Sequence, residues 1–217
     1  RHIDKILDNL GIAHVDGILF DLGISSFQLE SPDRGFSFNL EGPLDMRMDL
    51  DSYISAYDLI NSLSEKEISS ILRNFGQERW HHRIARYLVE QRIQKPISST
   101  KDLKDIVVRA IPARFRRQRI HPATRTFQAF RIAVNRELEA LDIALERCVD
   151  FLRVGGRVCV IAFHSLEDRI VKEKFRNFSK SGKVSLICKK PLRPTDKEIE
   201  ENPRSRSARM RVAERIQ

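Results

Sequence analysis

Two short apolar segments, flanked by helical periodicity, constrain the fold of this chain more than any other feature. Residues 17–22 read Gly-Ile-Leu-Phe-Asp-Leu, and residues 157–163 read Arg-Val-Cys-Val-Ile-Ala-Phe. Both are short and rich in β-branched or aromatic side chains, which indicates buried strands. Residues 2–10, which precede the first strand, carry isoleucine and leucine at helical spacing. Helices that alternate with buried strands are typical of α/β folds.

The second half of the chain continues this alternation. Residues 126–152 have apolar side chains at helical spacing throughout, which predicts one long amphipathic helix that ends before the glycine pair at 155 and 156. Residues 166–178 predict a further helix, and residues 184–188 predict a third strand.

A last strand is predicted over residues 208–213, antiparallel to the third strand. Ala208, Met210 and Val212 alternate with arginines there, so we expect these three side chains to face inward. We expect Arg209 and Arg211 to face solvent. The segment between the two strands, residues 189–207, is polar, basic and interrupted by proline, which predicts a long mobile loop.

Residues 52–119 show helical periods only. The sequence Ser64-Glu-Lys-Glu67 is a capping box in front of an apolar-periodic segment, and two further amphipathic segments follow. We therefore predict two domains. Residues 1–51 and 120–217 form the sheet domain, and residues 52–119 form an inserted all-helical domain.

The net charge of +9 is distributed unevenly along the chain. Residues 1–60 carry eleven acidic and four basic side chains, whereas residues 106–136 contain eight arginines and no acidic residue. This basic run includes Arg116, Arg117 and Arg125. A solvated surface normally interleaves acidic residues, so the run favours phosphate binding and predicts a nucleic-acid partner.

Other compositional features exclude several classes of protein. No apolar run approaches the roughly 20 residues of a membrane-spanning helix, so we expect no membrane partner. The three cysteines are widely spaced, and we expect them to be reduced and buried, as in a cytoplasmic protein. Because no Cys-x-x-Cys or paired Cys/His cluster occurs, we predict no metal site.

Polar side chains follow both predicted strands at the point where each strand ends. Open α/β sheets bind ligands beyond the carboxyl ends of their strands. Asp21 ends the first strand, and Ser25, Ser26 and Gln28 follow it; the alternative is that these side chains only cap a turn. His164 follows the second strand and is a candidate base, although a structural histidine is more common.

The loop after the first strand carries three phenylalanines, Phe27, Phe36 and Phe38, and the arginine Arg47. Aromatic rings in such a loop either stack on a flipped-out base or fill the core, and both interpretations stay open at this point. Arg47 lies between two aspartates and is either an RNA contact or an ion-paired scaffold residue.

Several long and unusual sequence blocks run through the chain in a fixed order. They resemble those of the ribosomal RNA small subunit methyltransferase H family, the bacterial 16S rRNA cytosine N4-methyltransferases. The blocks are Asp16-Gly-Ile-Leu-Phe-Asp-Leu-Gly-Ile-Ser-Ser26, Arg34-Gly-Phe-Ser-Phe38, Gly42-Pro-Leu-Asp-Met-Arg-Met-Asp49, Gly76-Gln-Glu-Arg79, His121-Pro-Ala-Thr-Arg-Thr-Phe-Gln128, Phe163-His-Ser-Leu-Glu-Asp-Arg-Ile-Val171 and Asn202-Pro-Arg-Ser-Arg-Ser207.

The resemblance implies a fold and an activity. The fold is a Rossmann-like class I methyltransferase sheet, mostly parallel with an antiparallel last strand, interrupted by a helical substrate domain. The implied cofactor is S-adenosyl-L-methionine, bound by Asp21 and Gln28, and the implied substrate is a cytosine at the decoding region of small-subunit rRNA. The family's Gly-Gly-His-Ser loop lies before the region that matches this chain, so we expect a missing N-terminal segment.

The chemistry of this substrate suggests further roles. A cytosine amine is a weak nucleophile and needs oxygen acceptors that align it with the methyl donor, for which we predict Ser25, Ser26 and Asp21. The predicted RNA contacts are Phe36, Arg47, Arg116, Arg117, Arg125 and His164.

Two other functions remain open from the sequence. One is a non-catalytic RNA-binding or ribosome-assembly factor on a methyltransferase scaffold. The other is amine methylation of DNA, although the Asp/Ser-Pro-Pro-Tyr/Phe signature is absent after the first strand. Small-subunit rRNA or the small ribosomal subunit is the expected partner, and a homodimer is kept as a candidate assembly.

Overall fold

The structure, a computed structural model, describes residues 2–116 and 120–217. These residues form ten α-helices and four β-strands. None of the described helices is both long enough and apolar enough to cross a membrane. The helices are α1 (Ile3–Asn9), α2 (Ser26–Glu30), α3 (Ala56–Ser62), α4 (Glu65–Gly76), α5 (His81–Gln94), α6 (Thr100–Ala110), α7 (Thr124–Asn135), α8 (Glu137–Cys148), α9 (Ser165–Lys180) and α10 (Asp196–Glu201); the strands are β1 (Val15–Asp21), β2 (Leu152–Ala162), β3 (Val184–Leu186) and β4 (Arg209–Arg215).

One compact unit, the sheet unit, comprises the chain up to Gly23 and residues 137–217. Its strand order is β1-β2-β4-β3, with β1 parallel to β2 and β4 antiparallel to both of its neighbours. Three strands therefore point in one direction and β4 in the other, which confirms the predicted class of sheet. Helix α9 packs on β2, β3 and β4, and α8 packs on α9, so that Leu145, Val160 and Phe175 share one buried core.

Residues 126–152 form two helices and not the predicted single helix. Arg136 adopts a left-handed conformation (φ 49°) at the end of α7, and α8 begins at the next residue. Asn135 fixes this end, because its side-chain amide donates to the Met46 carbonyl and its side-chain oxygen accepts from the Met48 amide. These partners lie far away in the sequence, so the local periodicity carries no sign of the break.

The predicted alternation of the last strand is correct, but the assignment of its faces is wrong. Arg211 and Ala213 are buried, whereas Met210 and Val212 are only half-buried. Arg211 lies inside because its Nε donates to the Asp168 carboxylate of α9 over 2.7 Å. A buried acidic partner therefore reverses the face that hydropathy alone assigns to an arginine.

Two other segments differ from the predictions. Strand β2 begins at Leu152 and includes Gly155 and Gly156, which were expected to lie between helix and strand. Residues 189–207 are not a structureless loop, because they contain α10 and the 3₁₀ turn Pro203–Ser207.

All three cysteines are free, but only Cys148 is buried. Burial raises the pKa of the Cys148 thiol to about 12, so this group stays protonated and unreactive. Cys159 and Cys188 are half-exposed, and the prediction of burial is therefore wrong for these two residues.

The second compact unit, the helical unit, comprises residues 24–136. Helix α4 packs against α5 and α7, α6 packs against α5, and α3 packs against α7 and α5. The predicted capping box begins α4, since the Ser64 hydroxyl accepts from the Glu67 amide while the Glu67 carboxylate accepts from the Ser64 amide. The helices predicted over residues 52–119 are present as α3 to α6.

The boundaries of the two units differ from the predicted domain boundaries, which were 51/52 and 119/120. The loop before α3 belongs to the helical unit, because Leu44 and Met46 are fully buried in its core and the Leu44 amide donates to the Ser98 carbonyl. Helix α7 also belongs there through its packing on α4. The chain therefore enters the helical unit at Ile24 and leaves it at Arg136.

Replacing Thr100 by valine should destabilise the helical unit. The Thr100 hydroxyl is fully buried, donates to the Leu40 carbonyl over 2.7 Å and accepts from the Gly42 amide over 3.1 Å. Valine leaves both backbone groups without this partner, at an expected cost of about 1–3 kcal/mol in the free energy of unfolding. Urea denaturation measures this loss. Thr100→Ser keeps the hydroxyl and should retain most of the stability; equal losses in both variants would contradict the account.

Candidate active site and candidate nucleic-acid interface

The carboxyl ends of β1 and β2 lie side by side. The two strands are parallel, Asp21 pairs with Ile161, and the Leu22 amide donates to the Ile161 carbonyl over 3.1 Å. Strand β2 ends one residue later, at Ala162, and His164 follows it. Asp21 and His164 therefore lie at the same edge of the sheet, as expected from the two strand exits.

The Asp21 side chain is exposed at this edge. Its carboxylate makes no ion pair with any residue in the part of the chain that the structure describes. A carboxylate in this position is available to accept hydrogen bonds or to bind a cationic ligand.

His164 begins α9 and is held in one tautomer. Its Nδ1 accepts from the Glu167 amide over 3.3 Å, and the Glu167 carboxylate accepts in return from the Phe163 and His164 amides over 2.9 and 3.3 Å. Because Nδ1 accepts a hydrogen bond, the proton of the neutral ring lies on Nε2. The structural interpretation of His164 is therefore supported, and its Nε2 lies 3.2 Å from a Glu167 carboxylate oxygen without the geometry of a hydrogen bond.

The tautomer of His164 also argues against a metal ion at this position. Ligand atoms of Glu137, His164 and Glu167 lie within 4.8 Å of one another, a spacing that a metal ion can bridge. A histidine that binds a metal through Nε2 carries its proton on Nδ1 and donates from there. The helix cap requires the opposite arrangement, so the donor set does not fit a metal ion while α9 keeps its cap.

Ser25 and Gln28 form the capping box that begins α2. The Ser25 hydroxyl accepts from the Gln28 amide over 3.2 Å, and the Gln28 side-chain oxygen accepts from the Ser25 amide over 3.1 Å. Ser26 is the first residue of α2 and is exposed. These three residues belong to the helical unit, whereas Asp21 belongs to the sheet unit, and their catalytic and cofactor roles stay predictions.

The three phenylalanines of the predicted base-stacking loop have different environments. Phe36 is 5% exposed in the core of the helical unit, which favours the core interpretation, and its contact with a base stays a prediction. Phe38 stacks on His121 with ring centroids 4.6 Å apart. Phe27 is 77% exposed and has an open face.

Arg47 is a scaffold residue. Its guanidinium binds both oxygens of Asp45 at 2.9 and 2.8 Å and donates to the carbonyls of Leu50 and Ser52. Burial raises the pKa of Asp45, but the Arg47 hydrogen bonds outweigh burial and the pKa lies below its usual value. The donors that an RNA phosphate would need are largely engaged, which favours the ion-paired alternative, and the RNA contact of Arg47 stays a prediction.

The other arginines predicted to contact RNA differ in how far the fold already uses their guanidinium groups. Arg116 donates to the carbonyls of Ile111 and Arg109 at the end of α6, so part of its guanidinium has a structural role. Arg117 lies outside the described residues. Arg125, on the first turn of α7, is exposed and free to meet a phosphate.

A pocket in the helical unit, which we call the Trp80 pocket, was not anticipated from the sequence. Its volume is about 180 Å³, and its lining includes Glu78, an acidic residue that is only 5% exposed. The available sequence signal is the Gly76-Gln-Glu-Arg79 block next to Trp80, and this block indicates the family resemblance without indicating a pocket. The lining residues are Glu78, Arg79, Trp80, Ile111, Phe115, Ile120, His121, Pro122 and Arg125.

The free energy of unfolding of the helical unit should fall as the pH falls from about 7 to about 5. Burial lowers the pKa of both His81 and His121 from 6.5, with smaller contributions from His82 and Arg73 for the first and Lys104 for the second. The unfolded chain therefore binds more protons below pH 6.5, so stability is full above that value and is lost as the pH decreases. Urea denaturation across this range measures the slope.

The matched control replaces both histidines whose pKa values are lowered, His81 and His121. His81→Asn with His121→Asn should flatten the pH dependence in this window, because the carboxylates with lowered pKa values titrate below it. A slope that survives both replacements would show that other groups cause it.

Comparisons with known proteins give one consistent result. A family model described as the MraW methylase family matches residues 1–216. The chain is similar to proteins named ribosomal RNA small subunit methyltransferase H from Caldicellulosiruptor saccharolyticus (49% identical) and Halothermothrix orenii (47% identical), in each case over 99% of this chain and 74% of the relative. The protein of that name from Clostridioides difficile is 44% identical over 100% of this chain and 74% of its own length.

Proposed function

The chain belongs to the MraW methylase family, and from this premise we propose that it transfers a methyl group from S-adenosylmethionine to the N4 amine of a cytosine in small-subunit rRNA, at the decoding region. The observation that carries the proposal is the position of Asp21 and His164 at neighbouring ends of parallel strands, where open α/β sheets bind their ligands. The names of the relatives point to small-subunit rRNA as the substrate.

Asp21 fits a site for the methyl donor. S-adenosylmethionine, when bound, supplies a methyl group on a positively charged sulfur. An exposed carboxylate without an ion-pair partner among the described residues suits such a cationic ligand or its hydroxyl groups. Gln28 is proposed to contribute its side-chain amide, although one of its atoms is used by the α2 cap.

The target amine must be aligned and its protons must be accepted. The lone pair of a cytosine amine delocalises into the ring, so acceptors that bind its N–H groups and hold it about 3–3.5 Å from the methyl carbon lower the barrier. As the new N–C bond forms, the amine loses a proton to such an acceptor or to water. We propose Asp21, Ser25 and Ser26 for this role.

We propose that the two units bind different ligands. The sheet unit would hold the cofactor edge, and the helical unit would contact RNA through its basic residues, of which Arg125 has an exposed side chain. We propose that the reaction takes place in the cytoplasm, where small-subunit rRNA is found.

Methyl incorporation tests this function. The gene product that carries this chain is incubated with labelled S-adenosylmethionine and either small-subunit RNA, assembled small subunits or DNA, and the nucleosides are analysed by mass spectrometry. We expect N4-methylcytidine in the RNA and no label in DNA. Label in DNA would favour the DNA methyltransferase, and RNA binding without any methyl transfer would favour the assembly factor.

A further inference from the structure

The Trp80 pocket has aromatic walls and a cationic rim. The rings of Trp80 and Phe115 lie 5.2 Å apart at an interplanar angle of 45°. The Arg79 guanidinium lies 5.4 Å from the first ring and 5.3 Å from the second, and the exposed Arg125 also lines the pocket. Aromatic rings and arginine planes are the groups on which proteins stack unpaired bases. The volume of about 180 Å³ is sufficient for a single base.

The carboxylate of Glu78 determines which hydrogen-bonding groups the base must present. Its Oε1 accepts from the Trp80 amide over 2.9 Å, whereas its other oxygen has no hydrogen bond and the carboxylate no ion pair within residues 2–116 and 120–217. Glu78 is only 5% exposed as a residue and lines the pocket, so a ligand that displaces water there must offer hydrogen-bond donors to its carboxylate. Its negative charge repels phosphate, so a ligand must bring N–H groups to Glu78 and leave its phosphates at the rim with Arg79 and Arg125.

Among the four RNA bases, guanine matches this requirement best. It presents a ring N–H and an amino group side by side, which a carboxylate can accept together. In cytosine and adenine the amino group lies next to a ring acceptor, and in uracil the single N–H lies between two carbonyls. Both arrangements place an acceptor against the carboxylate.

His121 can bind the carbonyl of guanine, which is the third hydrogen-bonding group on the edge that carries the ring N–H and the amino group. Its Nδ1 accepts from the Ala123 amide over 3.1 Å, so the proton of the neutral ring lies on Nε2. This histidine lines the pocket and is therefore a donor that suits the guanine carbonyl beside the ring N–H. Glu78 and His121 together provide the acceptor and donor that guanine needs.

We propose that the Trp80 pocket binds an unpaired guanine of the RNA substrate, a base other than the methylated cytosine. The inference rests on the proposed RNA substrate and extends it, because it assigns the helical unit a base-specific contact in addition to phosphate contacts. Glu78 and His121 determine the specificity, and Trp80 and Phe115 provide the stacking surface.

The fluorescence of Trp80 tests the proposal directly, because it is the only tryptophan in the chain. The wild-type chain is titrated with the 5′-monophosphates of guanosine, inosine, adenosine and cytidine. Guanosine monophosphate should quench Trp80 with the lowest Kd. Inosine monophosphate, which lacks the amino group, should bind about tenfold more weakly. The same comparison follows with a single-stranded RNA that contains one guanine and with its inosine-substituted copy.

Glu78→Gln should erase the preference for guanosine over inosine, since an amide offers a donor as well as an acceptor. The matched control is Glu90→Gln, which changes an exposed acid on α5 outside the pocket and should keep the preference. Circular dichroism verifies the fold of both variants, and the wild-type titrations need no variant at all.

Each outcome decides one part of the inference. Equal Kd values for guanosine and inosine monophosphates in the wild type would overturn the guanine assignment. A preference seen with free nucleotides but not with RNA would overturn the RNA source and leave a free-nucleotide site. Methyl transfer to small-subunit RNA, measured with the gene product that carries this chain, tests the proposed function independently of both results.

Discussion

Replacing Asp168 by alanine is expected to lower the free energy of unfolding of the sheet unit by about 3–5 kcal/mol. The Asp168 carboxylate binds Arg211 at 2.7 Å and Arg209 at 3.1 Å, and the side chains of Asp168 and Arg211 are only 12% and 10% exposed. Alanine leaves the buried guanidinium of Arg211 without its partner. A chemical denaturation curve of the variant measures the loss.

Two further variants test whether the loss of stability comes from the buried ion pair or from removing any acidic side chain. Asp16→Ala removes an acid whose ion pair with Arg153 is exposed, and it should change stability little. Asp168→Leu combined with Arg211→Met removes both charges and should recover much of the loss. If Asp16→Ala and Asp168→Ala cost the same, the buried pair has no special role.

The pH dependence of the same pair has a definite sign. Burial raises the pKa of Asp168, but the hydrogen bonds and charges of Arg211 and Arg209 outweigh burial, so the pKa lies below 3.8. The contribution of this carboxylate to stability is therefore fully present above pH 3.8 and is lost as the pH falls through the lower, folded-state value.

Local sequence signals predicted those elements that depend on local interactions. The capping box at Ser64 predicted the start of α4, because cap and helix are only three residues apart. The apolar segments around Phe20 and Val160 predicted β1 and β2, since buried strands need continuous apolar residues. The strand exits then predicted that Asp21 and His164 share one edge of the sheet, which the parallel pairing confirms.

Predictions failed where a distant partner decides the structure. The break at Arg136 depends on the contacts of Asn135 with Met46 and Met48, which no window around α7 contains. The burial of Arg211 depends on Asp168, which lies 43 residues earlier in the chain. The charge pattern likewise does not show that Arg116 donates to the Ile111 and Arg109 carbonyls.

The Trp80 pocket also depends on residues that are distant in the sequence, so local sequence patterns do not predict it. Glu78 and Phe115 lie in different segments, and only the packing of the helical unit brings them to one cavity. Helical periodicity assigns Trp80 to an apolar face, which says nothing about the buried carboxylate beside it. Residues of this kind are found by asking which side chains line one cavity, and the answer needs coordinates.

Asp21→Ala is expected to lower kcat/KM for methyl transfer to small-subunit RNA by at least about 100-fold. The proposed reaction needs a carboxylate at the end of β1, and alanine removes both its charge and its hydrogen-bond acceptors. Because the Asp21 side chain is exposed, the free energy of unfolding should change little. Steady-state methyl transfer and chemical denaturation of the same preparation, the gene product that carries this chain, measure the two effects.

Asp16→Ala is the matched control, since it also removes an exposed aspartate, near the other end of the same strand. It should keep wild-type activity, because ligands of parallel sheets bind at the carboxyl ends of strands and not at the amino ends. Asp21→Asn divides the effect further: recovery of cofactor affinity but not of kcat would assign the negative charge to the chemical step. Wild-type kcat/KM in Asp21→Ala would remove Asp21 from the proposed site and, with it, the strand edge as the place of methyl transfer.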